Sequence, residues 1–332
     1  MLAKKIYGTF DGGKSLTGLC LELLSEQSRT WPDLQEGYAS LKEVRERTLL
    51  CSGFSVRLQF NPGRMKSTVA PVGSAEAKKG ECFLCLNHLP EGQKGILYRG
   101  EFLILCNPAP VFHSHFTISH VEHRPQSIAE NVDTFLRLMT DFGPGWTVLY
   151  NGPRCGASAP DHLHFQAVPS GRMLIEKEMR EERRSTLRAK ENDVLLYRLK
   201  DLGREVILLE GNDQTALSPA FKRFLDKMKD VLVQDSEPMM NIAGFLEGTT
   251  FRLVIFPRRK HRPEAFFREG ENRIVVSPGV IDMGGVLITP VEKDFKRLDA
   301  SAVESIYAEV SLEGKTLENT IEALTSFEHR LP

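Results

Sequence analysis

His162, His164 and Gln166 alternate with Leu163 and Phe165 in the run Pro160-Asp161-His162-Leu163-His164-Phe165-Gln166. In an extended strand this spacing sends the three polar side chains to one face and the two apolar ones to the core behind it. A neutral imidazole is a good nucleophile toward phosphorus, and imidazole is largely neutral near pH 7. Just upstream, Asn151-Gly152-Pro153-Arg154-Cys155-Gly156 supplies turn residues and backbone N–H groups of the kind that cradle phosphate. A histidine pair at this interval also occurs as a buried polar pair or in a metal site without catalysis. The glycine-rich approach, together with partners elsewhere in the chain, tips the reading toward transfer of a nucleotidyl group through a covalent phosphohistidine, with His164 as nucleophile.

Cys82-Phe83-Leu84-Cys85 places two thiolates at an interval that lets both reach one tetrahedral ion. Such an ion needs two more ligands. His123 and His162 complete a closed Cys2His2 shell, which makes the expected zinc structural; spacing alone leaves His115 or His120 open in place of His123. The competing reading is a pair of packed loop cysteines. A zinc ion on His162 would fix the strand and thereby the aim of His164. Cys20, Cys51, Cys106 and Cys155 read as reduced core or loop cysteines, and His88 and His113 as surface or loop histidines. Arg64, after the Asn61-Pro62-Gly63 turn, is a candidate phosphate ligand. The cluster Arg258-Arg259-Lys260-His261-Arg262 reads equally as a solvated loop or as an anion-binding group, and Asp282 with the glycines after it reads as a tight turn.

These residues need a scaffold. With 332 residues, 41% hydrophobic and 26% charged, the chain is long enough for two packed soluble units. A formal net charge of -1 argues against a surface built for nucleic acid. No apolar run approaches membrane-spanning length, and Met1–Gly8 lacks the apolar core and cleavage site of a secretory signal, so a cytoplasmic location is expected.

Periodicity predicts mostly helix over residues 1–50, then strands at 54–60, 102–106, 115–119 and 146–150, with a helix over 128–142 stopped by Gly143-Pro144-Gly145. The charge-dense stretch 176–193 reads as a solvated helix or linker. Beyond it come a strand at 206–209, a helix opened by Ser218-Pro219, strands at 251–256 and 273–277, and helix from about Ser301. Strand-helix-strand-strand recurs in each half. The expectation is therefore an α+β fold of antiparallel sheets with packed helices, duplicated as residues 1–195 (with 1–50 a helical extension) and 196–332.

The order Arg64, Cys82-Phe83-Leu84-Cys85, Asn107-Pro108-Ala109-Pro110, His115, His123, Asn151 and His162-x-His164-x-Gln166 resembles the histidine-triad (HIT-like) superfamily. It looks most like the transferase branch, which holds galactose-1-phosphate uridylyltransferase, diadenosine tetraphosphate phosphorylase and the GDP-hexose phosphorylases. Good correspondence runs from about Asn61 to Ala167; the second half matches loosely through Phe256–Pro263 and Gly279–Gly285. Gln166, where the hydrolase branch has a third histidine, marks the transferases.

The resemblance implies tandem HIT-like domains, the second degenerate and completing the substrate pocket. It implies His164 as nucleophile, with Gln166 and Asn151 on the phosphate oxygens and zinc on Cys82, Cys85, His123 and His162. Arg64, Asn107, Gly156 and Ser158 would line the substrate site. The donor would be a nucleotide sugar or dinucleoside polyphosphate, and the acceptor phosphate or a sugar phosphate. A homodimer is open to it, since dimers are common in the superfamily. Two departures stand out: Ala159 occupies the place of a phosphate-binding serine of the uridylyltransferases, with Ser158 one position earlier, and Asp161 replaces their proline. The second half offers only His261 and His329, too few for the additional metal site of some uridylyltransferases. A hydrolase of the same fold and a non-catalytic nucleotide-binding protein are the rival readings. The glutamine argues independently for transfer, because a carboxamide donates hydrogen bonds but cannot protonate a leaving group at neutral pH.

Overall fold

The structure, a computed structural model, describes residues 2–69 and 82–325; His329 lies outside them. Its strands are β1 (Ile6–Phe10), β2 (Arg45–Leu50), β3 (Ser55–Phe60), β4 (Gly95–Tyr98), β5 (Phe102–Cys106), β6 (Phe116–His120), β7 (Trp146–Asn151), β8 (His164–Pro169), β9 (Ser185–Glu191), β10 (Val194–Leu199), β11 (Val206–Gly211), β12 (Met240–Glu247), β13 (Thr250–Pro257) and β14 (Val286–Thr289). The longer helices are α1 (Leu16–Thr30), α2 (Pro32–Ala39), α3 (Val132–Phe142), α4 (Gln214–Leu232), α5 (Ala300–Val310) and α6 (Gly314–Thr325).

Among the described residues eleven strands join in one sheet, ordered β1-β4-β5-β6-β8-β7-β12-β13-β11-β10-β9. Only the β1–β4 pairing in it is parallel. The sheet contains a topological repeat. β4-β5-β6-β8-β7 in the first half and β9-β10-β11-β13-β12 in the second follow the same path, and a helix (α3, then α4) precedes the fourth strand of each set. The two sets meet at the antiparallel pair β7–β12, where Asn151 lies opposite Asn241. The repeat places the start of the second set at Ser185, whereas the expected boundary at 195/196 falls inside β10.

One face of the sheet is covered by α1, α3, α4 and α6, which bury Leu23, Phe135, Met139, Phe221, Phe224 and Leu317 against it. The other face is covered by the second sheet, β14-β3-β2, together with α5 and the chain from 275 to 298. That covering leaves an opening over β5, β6 and β8, and the candidate site lies there.

Several local expectations are revised. Residues 1–50 hold α1 and α2 but also two strands: β1 pairs parallel with β4, and β2 forms a hairpin with β3. The stretch 176–193 holds the end of a short helix (Ile175–Glu178), a 3-10 turn (Glu182–Arg184) and the edge strand β9, whose mixed charges suit a strand with one unpaired edge; Glu176, Glu178 and Arg184 are buried rather than solvated. α4 begins at Gln214, five residues before Pro219, because the Asp213 carboxylate caps it by accepting the Thr215 N–H at 2.8 Å. Residues 273–277 belong to no strand: the Val276 N–H turns back to the Ile274 carbonyl at 3.1 Å, and the Val275 N–H finds its acceptor in the Asp294 carboxylate at 2.7 Å. Among these residues no helix is long and apolar enough to cross a membrane.

Candidate active site and metal centre

β8 begins at His164, and the alternation of its sequence is realised: Leu163 and Phe165 are buried in the helix-side core, each contributing roughly 1.5–3 kcal/mol of burial. On the opposite face, His164 and Gln166 line a cavity of about 580 Å³. β7 and β8 stay paired as far as Leu149–Gln166, then part around the loop 152–163. Gln126 spans the gap. Its amide donates to the carbonyls of Asn151 (2.9 Å) and His164 (3.0 Å) and accepts the His164 N–H at 2.7 Å. No local periodicity marks Gln126, and the sequence reading missed it.

The His164 ring donates Nδ1–H to the His162 carbonyl at 2.8 Å, because a carbonyl can only accept. Nε2 therefore carries the lone pair. Burial pushes the imidazole pKa down to about 4, so the ring is neutral at physiological pH. This is the state a nucleophile requires.

Gln166 is oriented by the same logic. His115 Nδ1 accepts the Val111 N–H at 3.2 Å, which leaves Nε2–H to donate to Gln166 Oε1 at 2.7 Å. The amide nitrogen of Gln166 is thereby left to face the cavity as a donor. Burial holds His115 neutral, with a pKa near 3. Asn151 repeats the pattern, its Oδ1 accepting from Asn241 Nδ2 (2.7 Å) and from the Val280 N–H (2.8 Å).

The other expected substrate residues also reach the cavity. Asn107, Gly156, exposed Ser158 and Arg64 all line it. Asn107 Oδ1 accepts the Ala109 N–H at 2.9 Å, and Arg64 donates Nη1–H to the Ala109 carbonyl at 2.7 Å. Gly156 has φ +109°, and a Cβ there would sit 3.0 Å from Gly279 Cα, so both conformation and close approach call for glycine.

The second half closes the cavity with His261, Ser277, Gly279, Val280, Ile281 and Asp282. The basic cluster divides. Arg259 and Lys260 pair with Glu313 and Glu309 outside, Arg258 is buried, and His261 faces the cavity with its Nε2 2.8 Å from Ser277 Oγ.

Asp282 is the buried carboxylate on this wall. Its oxygens accept the Gly279 and Ile288 N–H groups at 3.0 and 2.9 Å, and burial raises its pKa to about 6 against the opposing pull of Arg64. A raised native pKa means that the folded form binds the proton more tightly. Its contribution to stability is therefore full below about pH 4 and is lost as pH rises to about 6. The stability difference, wild type minus Asp282→Asn, should fall by about 2 kcal/mol between pH 4 and 7 in paired denaturant titrations. A difference that does not change with pH would remove this assignment.

Below the nucleophile, Cys82, Cys85, His123 and His162 bring four ligand atoms within 4.8 Å of one another. The sulfur–nitrogen separations are 3.3 Å (Cys82–His162), 3.2 Å (Cys85–His123) and 3.6 Å (Cys85–His162), all to Nδ1. A tetrahedral zinc ion with bonds of about 2.0–2.3 Å has edges of roughly 3.4–3.8 Å, so the donor set fits one. Each histidine also has its second nitrogen held. His162 Nε2–H donates to the His120 carbonyl at 2.8 Å, and His123 Nε2 lies 3.4 Å from the Asp161 carboxylate. The alternatives to His123 are engaged elsewhere: His115 with Gln166, and His120 Nδ1 with the Glu122 N–H at 3.0 Å.

Residues 23–169 match a family model described as "Domain of unknown function (DUF4922)". No curated protein matches by sequence. Among solved structures, yeast Ap4A phosphorylase Apa2 is similar at 13% identity over 86% of this chain and 94% of that one, with a TM-score of 0.54. Its complexes with AMP (14% identity, 87% and 96% covered) and with Ap4A (12%, 86% and 97%) superpose with the same score of 0.54. The chain has the fold of that phosphorylase. The likeness spans both halves of the chain.

Proposed function

We propose that the protein is a nucleotidyltransferase or phosphorylase that carries a nucleoside monophosphate on His164. The donor is a dinucleoside polyphosphate or nucleotide sugar, and the acceptor is phosphate or a sugar phosphate. The observation that carries this reading is the buried neutral His164, with Nε2 unprotonated in a cavity where the amides of Gln166 and Asn151 are turned to donate. The shared fold with an Ap4A phosphorylase supports it, although fold alone does not fix chemistry.

In the first step Nε2 attacks the α-phosphorus in line. The P–N bond forms as the bridging P–O bond breaks, and its electron pair leaves on the departing phosphate. The ring becomes a cationic phosphoimidazolium, and the carbonyl of His162 on Nδ1–H stabilises that charge without taking the proton. Gln166 and Asn151 donate to the phosphoryl oxygens, where donors oriented in advance act with little reorganisation. Gly156 and Arg64 offer further contacts to the phosphate chain. The second step is the reverse with the acceptor oxygen as nucleophile, which returns His164 to its neutral state. No general acid is required, because the first leaving group is a stable phosphate anion and the second is the neutral imidazole of His164.

We also propose zinc on Cys82, Cys85, His123 and His162, where a closed shell supplies structure and leaves no position for substrate. The side chain of His162 would be anchored, and with it the carbonyl that aims His164.

The test is intact-protein mass spectrometry after brief incubation with diadenosine tetraphosphate, UDP-glucose, GDP-mannose and ADP-glucose, followed by added phosphate. One donor should add the mass of one nucleoside monophosphate, and phosphate should discharge it as the nucleoside diphosphate. Nucleotide binding with no adduct from any donor would overturn the reading; discharge by water at the same rate without phosphate would replace it with the hydrolase.

A further inference from the structure

Asn241 and Arg258 lie in the second half and do not line the cavity, yet they end a hydrogen-bond chain that opens into it. Asn241 is fully buried on β12, directly across from Asn151 on β7. Arg258, 1% exposed, follows β13 and has no carboxylate partner among the described residues. Its guanidinium donates instead to Asn241 Oδ1 and to the carbonyls of Pro278 (2.9 Å), His261 (2.9 Å), Lys260 (3.1 Å) and Val310 (3.2 Å).

The chemistry of these groups forces the direction of the chain. A guanidinium only donates, so the Asn241 atom facing it must be Oδ1. The other end of that amide is therefore Nδ2, which donates to Asn151 Oδ1 at 2.7 Å and to the Cys155 carbonyl at 2.6 Å. Asn151 is in turn compelled to keep Nδ2 for the cavity. Each donor in such a series polarises the next, and a charged first member strengthens the effect.

We propose that Asn241 is a positioning residue for nucleotidyl transfer. Through it, the buried charge of Arg258 orients Asn151 as a donor to the transferring phosphate and ties down the 152–156 turn. The inference rests on the reading of His164 as nucleophile. It explains why a second half without a histidine pair of its own still matters to the chemistry of the first.

Asn241→Asp separates positioning from packing. The isosteric carboxylate keeps, and strengthens, the contact to Arg258, but it cannot donate to Asn151 or Cys155. Asn151 should then turn its Nδ2 toward the new carboxylate and present Oδ1 to the phosphate. Asn241→Ala removes the contact to Arg258 but leaves Asn151 Oδ1 held by the Val280 N–H. A structural role ranks the alanine variant as the more damaged. Positioning ranks the aspartate variant so.

The readout is the single-turnover rate of adduct formation with the donor that labels the wild type, beside thermal midpoints and donor affinity. Asn241→Asp should retain its midpoint and lose about 10²-fold in rate, with donor affinity changed by less than the rate. Asn241→Ala should lose about 10-fold, a fraction of that effect. An aspartate variant within threefold of wild type, or rates that follow the midpoints, overturns the proposal. Should the aspartate variant fail to fold, a wild-type rate for Asn241→Ala overturns it equally. A wild-type protein that forms no adduct removes the underlying reading and this inference with it, a result distinct from labelled wild type with unaffected variants.

Discussion

His164→Ala protein should form no covalent adduct with any donor that labels the wild type, and its turnover should fall by about 10⁶-fold, the scale on which loss of a covalent nucleophile is felt. The loss follows from the absence of a substitute. Among the described residues lining the cavity, His261 is a half-buried imidazole, and its Nε2 is engaged by Ser277 Oγ at 2.8 Å. Exposed His88 sits on the 82–89 turn rather than on β8 beside Gln166, so it is not placed opposite the oriented amides. The fold should survive, since the ring contributes one hydrogen bond to its neighbours while the His164 backbone keeps both contacts to Gln126. The comparison therefore needs a wild-type-like circular dichroism spectrum and retained nucleotide binding. An adduct on the folded variant would place the nucleophile elsewhere, and undiminished turnover would end the double-displacement mechanism.

The chemistry was more legible in the sequence than the architecture that positions it. The two-residue period of His164 and Gln166 is a local signal that the face of β8 converts directly into geometry, whereas His162 lies before the strand and faces Cys82 and Cys85 instead of the cavity. The Cys82–Cys85 interval is local as well, which is why both cysteines could be read from spacing while the third and fourth ligands could not be chosen uniquely. Gln126 and Asn241 carry no such signal. Each acts through partners 25 to 90 positions away in the chain, on strands whose pairing no window of residues reveals. β12 was missed for a related reason: Met240 to Phe245 is buried on both faces, so the polar–apolar alternation that marks a half-exposed strand is absent. The opposite error arose at 273–277, where an apolar run reads as a strand, but the segment covers the sheet and its N–H groups go to Asp294 and to the Ala265 and Ile274 carbonyls rather than to a neighbouring strand. Asp161, read only as a departure from the proline of related enzymes, lies beside His123 and so gains a role from the fold.

Removing metal should have the second-largest effect, on stability before activity. Protein purified without chelators should carry about one equivalent of zinc by elemental analysis, and Cys85→Ser should carry far less, because Cys85 Sγ lies within 3.6 Å of both histidine ligands. The four proposed ligands lie on three separated segments, which a bound ion would staple: the 82–89 turn, the loop after β6 at His123, and the loop leading into β8. With free zinc a thousandfold above its dissociation constant, the native state gains about 4 kcal/mol, which corresponds to a fall of roughly 6 °C in midpoint on stripping. The catalytic consequence is transmitted through the backbone. Once the His162 ring is released, its carbonyl no longer holds the His164 Nδ1–H in one place, and Nε2 loses its aim. Adduct formation should therefore slow in the stripped protein at temperatures where it remains folded, and zinc should restore it. An unchanged midpoint after complete chelation, or native protein without bound metal, would assign the four residues to packing alone. Unchanged labelling in a stripped, destabilised protein would separate the metal from the aim of His164 while leaving its structural role intact.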